Sequence, residues 1–532
     1  MTPQLPFSKK DETRSPPHPI TLVATWTISC LRALRRSGYV QLAIKYVAII
    51  VVAVLALMPI FVPSYTRPPP HYRELERRCE DPGRRKVGCA NPLNEQVFIS
   101  IILYDRGGKL SGGKWGERLI KLIDLLGPPN VFLSIYENDS GPEGRAALAD
   151  LKQRVPCRHS IVSEEHISVE QFHNITFPDG SQRTKRVAFL SELRNRALRP
   201  LDAFREERGA VEYDKVLFLN DIAFEPIDAA HLLFNTNQGR NGRADYVGAC
   251  GVDWFGPSNI YDIYALRDAE GYAYYQNTYP FFGRRGQGRS RAAVLAQSDA
   301  VPARSCWGGM MAVQARYVQN LLCEPPSPAF SAVNGHVIDP DMPRNVTAPV
   351  RFRYEPGIYY DACECCLFSA DLGQLARSEG HRTGIVMNPY VRVAYTEKVL
   401  RWLPLVKYWE RLWVFVWEFR SLITSRADNP YRTVAEGEPF VEEIFDGGWR
   451  LVKRVGRSGL FCGVRDMQVL RKDGEHHKGT GRLPHLNWVN TRMPPGQQLS
   501  FKSWWGRILP TNWPREYTGS AQEVRETFFE WE

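Results

Sequence analysis

The chain has 532 residues, 43% of them hydrophobic and 24% charged, and 68 Lys and Arg against 58 Asp and Glu give a formal charge of +10. These values exclude a disordered or collagen-like chain and leave room for one large catalytic domain with appendages, or for two domains. No basic stripe is interleaved with aromatics, which argues against a nucleic-acid partner, whereas a basic surface suits anionic substrates or anionic lipid headgroups.

Residues 1–45 contain Pro and scattered basic residues, among them Lys9, Lys10, Arg14, Arg32, Arg35 and Arg36. Tyr46 to Val62 is a charge-free apolar run of 17 residues, reaching about 23 if Val40 to Lys45 are counted, with Lys45 able to snorkel. The basic flank predicts a cytoplasmic N-terminus, a single-pass signal anchor over 46–62 and a lumenal catalytic mass. Of eleven cysteines only Cys30 precedes the anchor. The remaining ten suit disulfides in an oxidising lumen, and Cys79 with Cys89 can close a small loop. The sequons at Asn138, Asn174 and Asn345 point the same way.

Residues 63–95 are rich in Pro, Arg and Gly and read as a stem. The globular domain is expected over 96–398. Val97 to Leu103 is a buried-strand run, and Trp115 to Leu126 has helical spacing and stops at Gly127-Pro128-Pro129. Val131 to Tyr136 is a second strand, followed by Glu137-Asn138-Asp139-Ser140 and a helix over Pro142 to Arg154. A helix is predicted over Thr184 to Leu198, then strands at Val216 to Leu219 and at Tyr246 to Cys250, the latter ending near Asp253. Strands alternating with helices predict an α/β fold with a largely parallel sheet. Residues 255–305 are weakly periodic and Tyr-, Gly- and Arg-rich, as a functional lid would be. Cys306 to Val313 restarts the buried pattern, and Ile385 to Tyr395 closes the domain with short strands.

An extension over 399–470 opens with an aromatic, amphipathic stretch (RWLPLVKYWERLWVFVWEFRSLI). It either packs on the core, the favoured reading, or lies at the membrane interface. A polar tail occupies 471–532.

Val216 to Leu219 ends abruptly in Asn220-Asp221, and open α/β sheets place ligand chemistry at the carboxyl ends of their strands. Asp221, with Asn220 beside it, suits a hard divalent cation such as Mn²⁺ or Mg²⁺. Glu137-Asn138 and Asp253 stand at other strand ends, and Arg194 adds the positive charge that a nucleotide diphosphate needs. Trp307-Gly308-Gly309 offers an apolar platform for a sugar face, or a core Trp beside a tight turn. Asp361 and Glu364 flank the cluster Cys363-Glu364-Cys365-Cys366. They are candidates to contact an acceptor or the anomeric centre, or to cap a helix. The cysteines there lack a His pair at zinc-finger spacing, so disulfides are expected. No G-x-S-x-G, H-E-x-x-H or P-loop is present, which leaves hydrolase and kinase readings without a site.

The ordered blocks VFISIILYD, VFLSIYENDSGPEGR, RVAFLSELRNRALRPL, YDKVLFLNDIAFEP, YVGACGVDW, CWGGMMAV, YDACECCL and NPYVRVAYT resemble glycosyltransferase family 69, the fungal capsule-associated mannosyltransferases, from Val97 to Thr396. The resemblance implies a GT-A type, Rossmann-like fold and transfer of mannose from GDP-mannose to a glycan acceptor, as an α-1,3 linkage. It places the metal motif at Asn220-Asp221, nucleotide contacts at Glu137-Asn138 and Arg194-Asn195, and the donor and acceptor sugars near Trp307-Gly308-Gly309 and Asp361 to Cys366. The expected setting is a type II membrane protein of the Golgi or endoplasmic reticulum, within reach of a transferase complex. Two alternatives stay open: a transferase using another nucleotide sugar, and an inactive lectin-like or scaffolding relative.

Overall fold

The computed structural model describes residues 38–80, 87–165, 167, 172, 174–177, 179–203, 211–273, 277–319, 346–381, 383–423, 432, 434–445, 449–464, 467–470 and 488–491. It divides into two units, residues 1–63 and 64–532. In the first, helix α1 spans Gly38–Phe61. Its stretch Gln41–Phe61 is 21 residues long with a mean hydropathy of 2.5, the one helix among the described residues long and apolar enough to cross a membrane. At 1.5 Å per residue it extends about 32 Å, matching a hydrocarbon core.

The second unit is built on a mixed nine-stranded sheet. Strands β1 (Val97–Leu103), β2 (Val131–Asn138) and β3 (Arg158–Glu164) run parallel, and β6 (Lys215–Leu219) continues the parallel set beside β1. Two short strands, β4 (Asn174–Thr176) and β5 (Gln182–Thr184), pair apart from this sheet. Strands β7 (Gly248–Trp254) and β12 (Ile385–Ala394) are also parallel to each other. Between β6 and β7 lies β10 (Met310–Gln314), antiparallel to both. Beyond β12 the sheet ends in β9 (Val301–Ser305) and β8 (Arg267–Asp268), again antiparallel. The Rossmann-like α/β class is therefore the observed one, but the sheet is less parallel than its apolar runs imply. Met310, the first residue of β10, pairs with Leu219, the last of β6, so the chain enters β10 at the carboxyl edge and must run back.

Alternation along β1 explains the two cores. Val97, Ile99, Ile101 and Leu103 face one layer with Leu119, Leu122, Ile123 and Leu126 of α3 (Lys114–Leu126), while Phe98 faces the other. The first layer also holds Leu148 and Leu151 of α4 (Gly141–Arg154) and Leu232 and Leu233 of α6 (Pro226–Phe234). The opposite layer holds Leu198 and Leu201 of α5 (Arg186–Ala203) and Leu367, Phe368 and Leu372 of α8 (Glu364–Ser378). Strands buried on both faces need continuous apolar runs, which is what VFISIIL and KVLFL supply.

Three expectations about the connecting segments are corrected. The supposed stem is packed: in α2 (Pro70–Glu80) Tyr72 and Leu75 are buried, and Tyr72 stacks on His231 at 4.5 Å. Tyr65 meets Tyr390 edge-on at 4.8 Å, and the Ser64 N–H donates to the Lys407 carbonyl at 2.8 Å. Burying these rings is worth more than leaving a flexible tether. The supposed lid is likewise tied into the core, with Tyr279, Phe281, Phe282 and Val294 buried, Val294 in α7 (Arg289–Leu295). Among its described residues, exposed positions remain at Phe255 and Tyr261 and between Arg284 and Arg289. The closing segment is one ten-residue strand, β12, rather than several short ones.

The C-terminal extension is tied into the body. Helix α9 (Glu397–Val406) buries Leu400 and Leu403, and Arg392 of β12 makes a buried two-point pair with Glu410 at 2.8 and 2.9 Å. Helix α10 (Leu412–Ile423) follows. Strand β11 (Asp361–Ala362) pairs with β15 (Gly463–Val464), and a disulfide joins Cys366 to Cys462. A hairpin of β13 (Pro439–Phe445) and β14 (Trp449–Val455), and a pairing of β16 (Met467–Leu470) with β17 (Trp488–Thr491), complete it. Apart from β17, the expected polar tail lies outside the described residues, as do the N-terminal 37 residues, Asn345 and Cys323. Disulfides also join Cys79 to Cys89, as expected, and Cys250 to Cys306.

Glu410→Gln strands the buried Arg392 charge and should cost about 3–5 kcal/mol, read as a large fall in Tm. An apolar replacement of both partners should recover most of it. A single-variant loss below about 1 kcal/mol would show that the pair is not held in a desolvated setting.

Candidate functional site

The parallel strands place Glu137-Asn138, Asn220-Asp221 and Asp253 on one edge of the sheet, as the strand-end pattern implies. At the end of β2, Glu137 is already engaged: one oxygen accepts the Ser140 N–H at 2.8 Å and the other the Ser163 hydroxyl. Asn138 is buried, and its side-chain nitrogen has no hydrogen-bond partner among the described residues. An orphaned buried donor costs free energy unless something arrives to accept from it. The neighbouring loop is organised by Asp105, whose carboxylate accepts the N–H groups of Leu110 and Ser111 at 2.9 and 2.8 Å.

Asn220 is held on three sides. Its N–H donates to the Gly309 carbonyl at 2.9 Å, its carbonyl accepts from the Trp115 indole at 3.2 Å, and its side-chain oxygen accepts from the Trp307 indole at 3.3 Å. Asp221 differs. Its side chain is exposed, and no described residue hydrogen-bonds or ion-pairs with it. Its carboxyl is raised above the usual range by desolvation, with Asp105 adding and Arg194 opposing. Asp221 is thus open to solvent while neighbouring protein atoms still desolvate its carboxyl. A hard divalent cation takes oxygen ligands, and an accessible, unpaired carboxylate fits that need; Asn220, its oxygen already shared with Trp307, fits less well.

Arg194 of α5 is buried, with its guanidinium 4.3 Å over the Trp307 ring and its Nε donating to Glu364 at 3.2 Å. Its two Nη groups have no hydrogen-bond partner among the described residues. Trp307 is thus a buried partner of Arg194, packed against Phe218 and Phe352, and its ring is not a free platform for a sugar. Gly308, at φ +57°, lies so close to β7 that a Cβ would fall 2.1 Å from the Gly251 carbonyl oxygen. Gly309, at φ +67°, backs onto Ile222, Val393 and Asp253, so both glycines serve close packing. Asn195 is also committed elsewhere: it donates to the Phe352 carbonyl at 2.8 Å and accepts its N–H at 2.9 Å. Both of its side-chain amide atoms thus brace the backbone at Phe352.

Asp361 is not an open carboxylate. It is buried against Lys185 at 3.3 Å and accepts the Gln468 N–H at 3.2 Å. Lys185 in turn donates to the carbonyls of Glu355, Gly357 and Tyr360. This arrangement pins the loop before α8. Glu364 is buried and paired with Arg194, and the Cys365 thiol faces it at 3.4 Å. Ligand atoms of Cys363, Glu364 and Cys365 all lie within 4.8 Å of one another, but the Arg194 charge already occupies the position of a counter-ion. Of the cluster only Cys366 forms the expected disulfide; Cys363 and Cys365 are buried thiols.

Asp253 has a neighbour that sequence reasoning missed. Its Oδ1 accepts the Asp262 N–H at 3.1 Å, and the half-buried Asp262 accepts the Ala265 N–H at 3.0 Å. Burial, then the Asp262 charge, pushes the Asp253 carboxyl up to about 8. Burial also raises Asp262, and the Glu364 charge adds to it. Tyr261, half-exposed, meets Tyr395 at 4.1 Å beside this pair. The signal was the Tyr261-Asp262 dipeptide nine residues after Asp253, hidden because the whole segment read as a lid.

A carboxyl raised in the folded state keeps a proton that the unfolded chain has released. Its contribution to stability is therefore full below the unfolded pKa near 4 and is lost as pH rises to about 8. Thermal unfolding in EDTA should show Tm falling over that window, and Asp253→Asn should flatten the fall. An unchanged slope in the variant would remove Asp253 as its source.

No curated protein matches the chain. Among solved structures, similarity is found to the mannosyltransferase PcManGT from Pyrobaculum calidifontis in complex with GDP-Man and Mn²⁺, at 11% identity and a TM-score of 0.28, over 73% of this chain and 77% of that one. Glucosyl-3-phosphoglycerate synthase from Mycobacterium tuberculosis, in complex with Mn²⁺, UDP and phosphoglyceric acid, is similar at 11% identity and a TM-score of 0.27, over 74% and 96%. Mannosyl-3-phosphoglycerate synthase from Rubrobacter xylanophilus is similar at 13% identity and a TM-score of 0.28, over 74% and 93%. The sequence profile described as Cryptococcal mannosyltransferase 1 matches residues 96–371, from just before β1 into α8. That match spans more than half of the chain, and it contains the strand-end residues, Arg194, Trp307 and Glu364. The chain belongs to the cryptococcal mannosyltransferase 1 family.

Proposed function

We propose that this protein transfers mannose from GDP-mannose to a glycan acceptor, forming an α-1,3 linkage with retention, in a reaction that depends on Mn²⁺ or Mg²⁺. The observation that carries the reading is Asp221, a solvent-facing carboxylate with no partner among the described residues, at the carboxyl end of a buried strand. A divalent cation held by Asp221 would neutralise the donor diphosphate and stabilise it as a leaving group. Arg194 turns its two unengaged Nη groups to the same diphosphate, with Trp307 and Glu364 fixing the guanidinium. The orphaned Asn138 nitrogen contacts the nucleotide, so its sequon carries no glycan.

The donor is an α-mannoside, so an α product means net retention. A double displacement needs an ionised carboxylate at the anomeric carbon. The Asp253 carboxyl is buried and raised by desolvation and the Asp262 charge, and Glu364 is paired with Arg194, so neither stands as a free carboxylate. These facts favour a front-face route. The acceptor oxygen bonds to the anomeric carbon as the bond to the phosphate oxygen breaks, and the departing phosphate takes the acceptor proton. The protein then supplies position and charge. Helix α1 anchors the chain as a single-pass type II protein of the Golgi or endoplasmic reticulum, and the three disulfides suit a lumenal setting.

A ligand that binds only the native state raises its stability by mass action. The full chain in detergent should gain Tm with GDP in the presence of Mn²⁺, gain less without the metal, and lose the metal-dependent part in Asp221→Ala. A UDP-selective gain would overturn the donor, and no gain with either nucleotide would favour the lectin-like relative. Turnover should vanish in Asp221→Ala, while Arg194→Met should lower kcat/KM about 100-fold and also lower the Tm without ligand, because it leaves the buried Glu364 without its partner.

A further inference from the structure

We propose that the outer face of helices α9 and α10 docks on the surface of the lipid bilayer. The inference rests on the reading that Gln41–Phe61 crosses the membrane. Helix α9 is two-faced. Leu400 and Leu403 are buried in the body, while Trp402 and Leu405 stand outward, Trp402 at 51% exposure. Tyr408 and Trp409 continue that exposed face past the end of α9, and α10 adds Phe415, at 69% exposure, and Val416. Large apolar side chains grouped on an exposed helical face are costly in water and mark a surface that something covers. Trp and Tyr at its edge are the side chains that favour the headgroup level of a membrane. Lys398 and Arg401 lie on the same helical face, one turn apart, and supply positive charge for anionic lipids.

The chain itself selects the bilayer as the occupant. Ser64 is buried, and its N–H is bonded to the carbonyl of Lys407, between Trp402 and Trp409 of the exposed stretch. Ser64 follows Phe61 by three residues, so covalent geometry keeps it within about 11 Å of the point where the apolar span ends. Tyr65 and Tyr72, which follow Ser64, are buried in the same unit as the aromatic face. A soluble domain on a long tether would carry no such constraint. The proposal also reconciles the two readings of the aromatic stretch, since the inner face packs on protein and the outer face on lipid.

The test is photocrosslinking of the full chain in vesicles of phosphatidylcholine with phosphatidylserine. A benzophenone side chain is placed in turn at Trp402, Phe415, Val162 and Val52. Val162 is exposed on β3, and Val52 lies within the apolar span. Lipid adducts at Trp402 and Phe415 about tenfold above those at Val162 are expected. Adducts at Val52 with only background at Trp402 and Phe415 would overturn the docking while leaving the anchor intact. Background at Val52 as well would overturn the docking together with the anchor it rests on. Adducts to a protein at Trp402 and Phe415 would assign the face to a second copy or a partner subunit, and would equally overturn the proposal.

Discussion

The site depends on a buried guanidinium. Arg194 leaves α5 into a place where burial alone would be prohibitive, and it is tolerated because Trp307 covers one face and Glu364 takes the Nε. This contact joins three distant parts of the chain: the helix after β5, the turn before β10 and the start of α8. The Trp307 indole also reaches Asn220, so the charged centre and the end of β6 are set by the same ring. Arg194 is the partner that Trp307 and Glu364 share, so removing it frees both, which is why the site is a single construction and not a list of residues.

Further buried pairs extend this logic away from the site. Arg353 binds Asp371 at 2.7 and 3.1 Å and Glu355 at 2.9 Å, and Glu355 also takes Arg457 at 2.8 Å. Lys185 holds Asp361 and three carbonyls of the adjoining loop. With the disulfide between Cys366 and Cys462, these contacts fasten the C-terminal extension to the helix that carries Glu364. The extension is therefore structurally continuous with the site, although it lies outside the family match. Buried ion pairs of this kind contribute little net stability against apolar packing, but an unpaired member is severely destabilising, so they enforce one arrangement.

Much of the fold was legible in local patterns. The runs VFISIIL and KVLFL became strands at the expected places, the helix over 115–126 formed within one residue of its expected start, and the polar strand ends met on one edge. The strength of that reading is that a strand buried on both faces and a helix buried on one leave different periodicities in the chain. The direction of β10 was not legible, because an apolar run is the same read in either direction and only its neighbours decide the pairing. The partners of Asn195, Trp307 and Asp361 were not legible for a related reason. Each has a partner more than 80 residues away, and that partner already occupies the group.

The sequence by itself determined the apolar span, the layered α/β class and the presence of acidic and basic groups at the strand ends, since all three are properties of short windows. Tertiary structure alone decided which of those groups remain available. Asp221 was left open to solvent, Asp361 was closed by Lys185, Glu364 was spent on Arg194, and Asp253 gained Asp262 as a neighbour that raises its proton affinity. It also decided that residues 64–80 pack against the body where composition read as a stem, because a ring finds its pocket only after the chain has folded around it. Availability depends on long-range pairing and burial, and neither leaves a trace in the neighbouring residues.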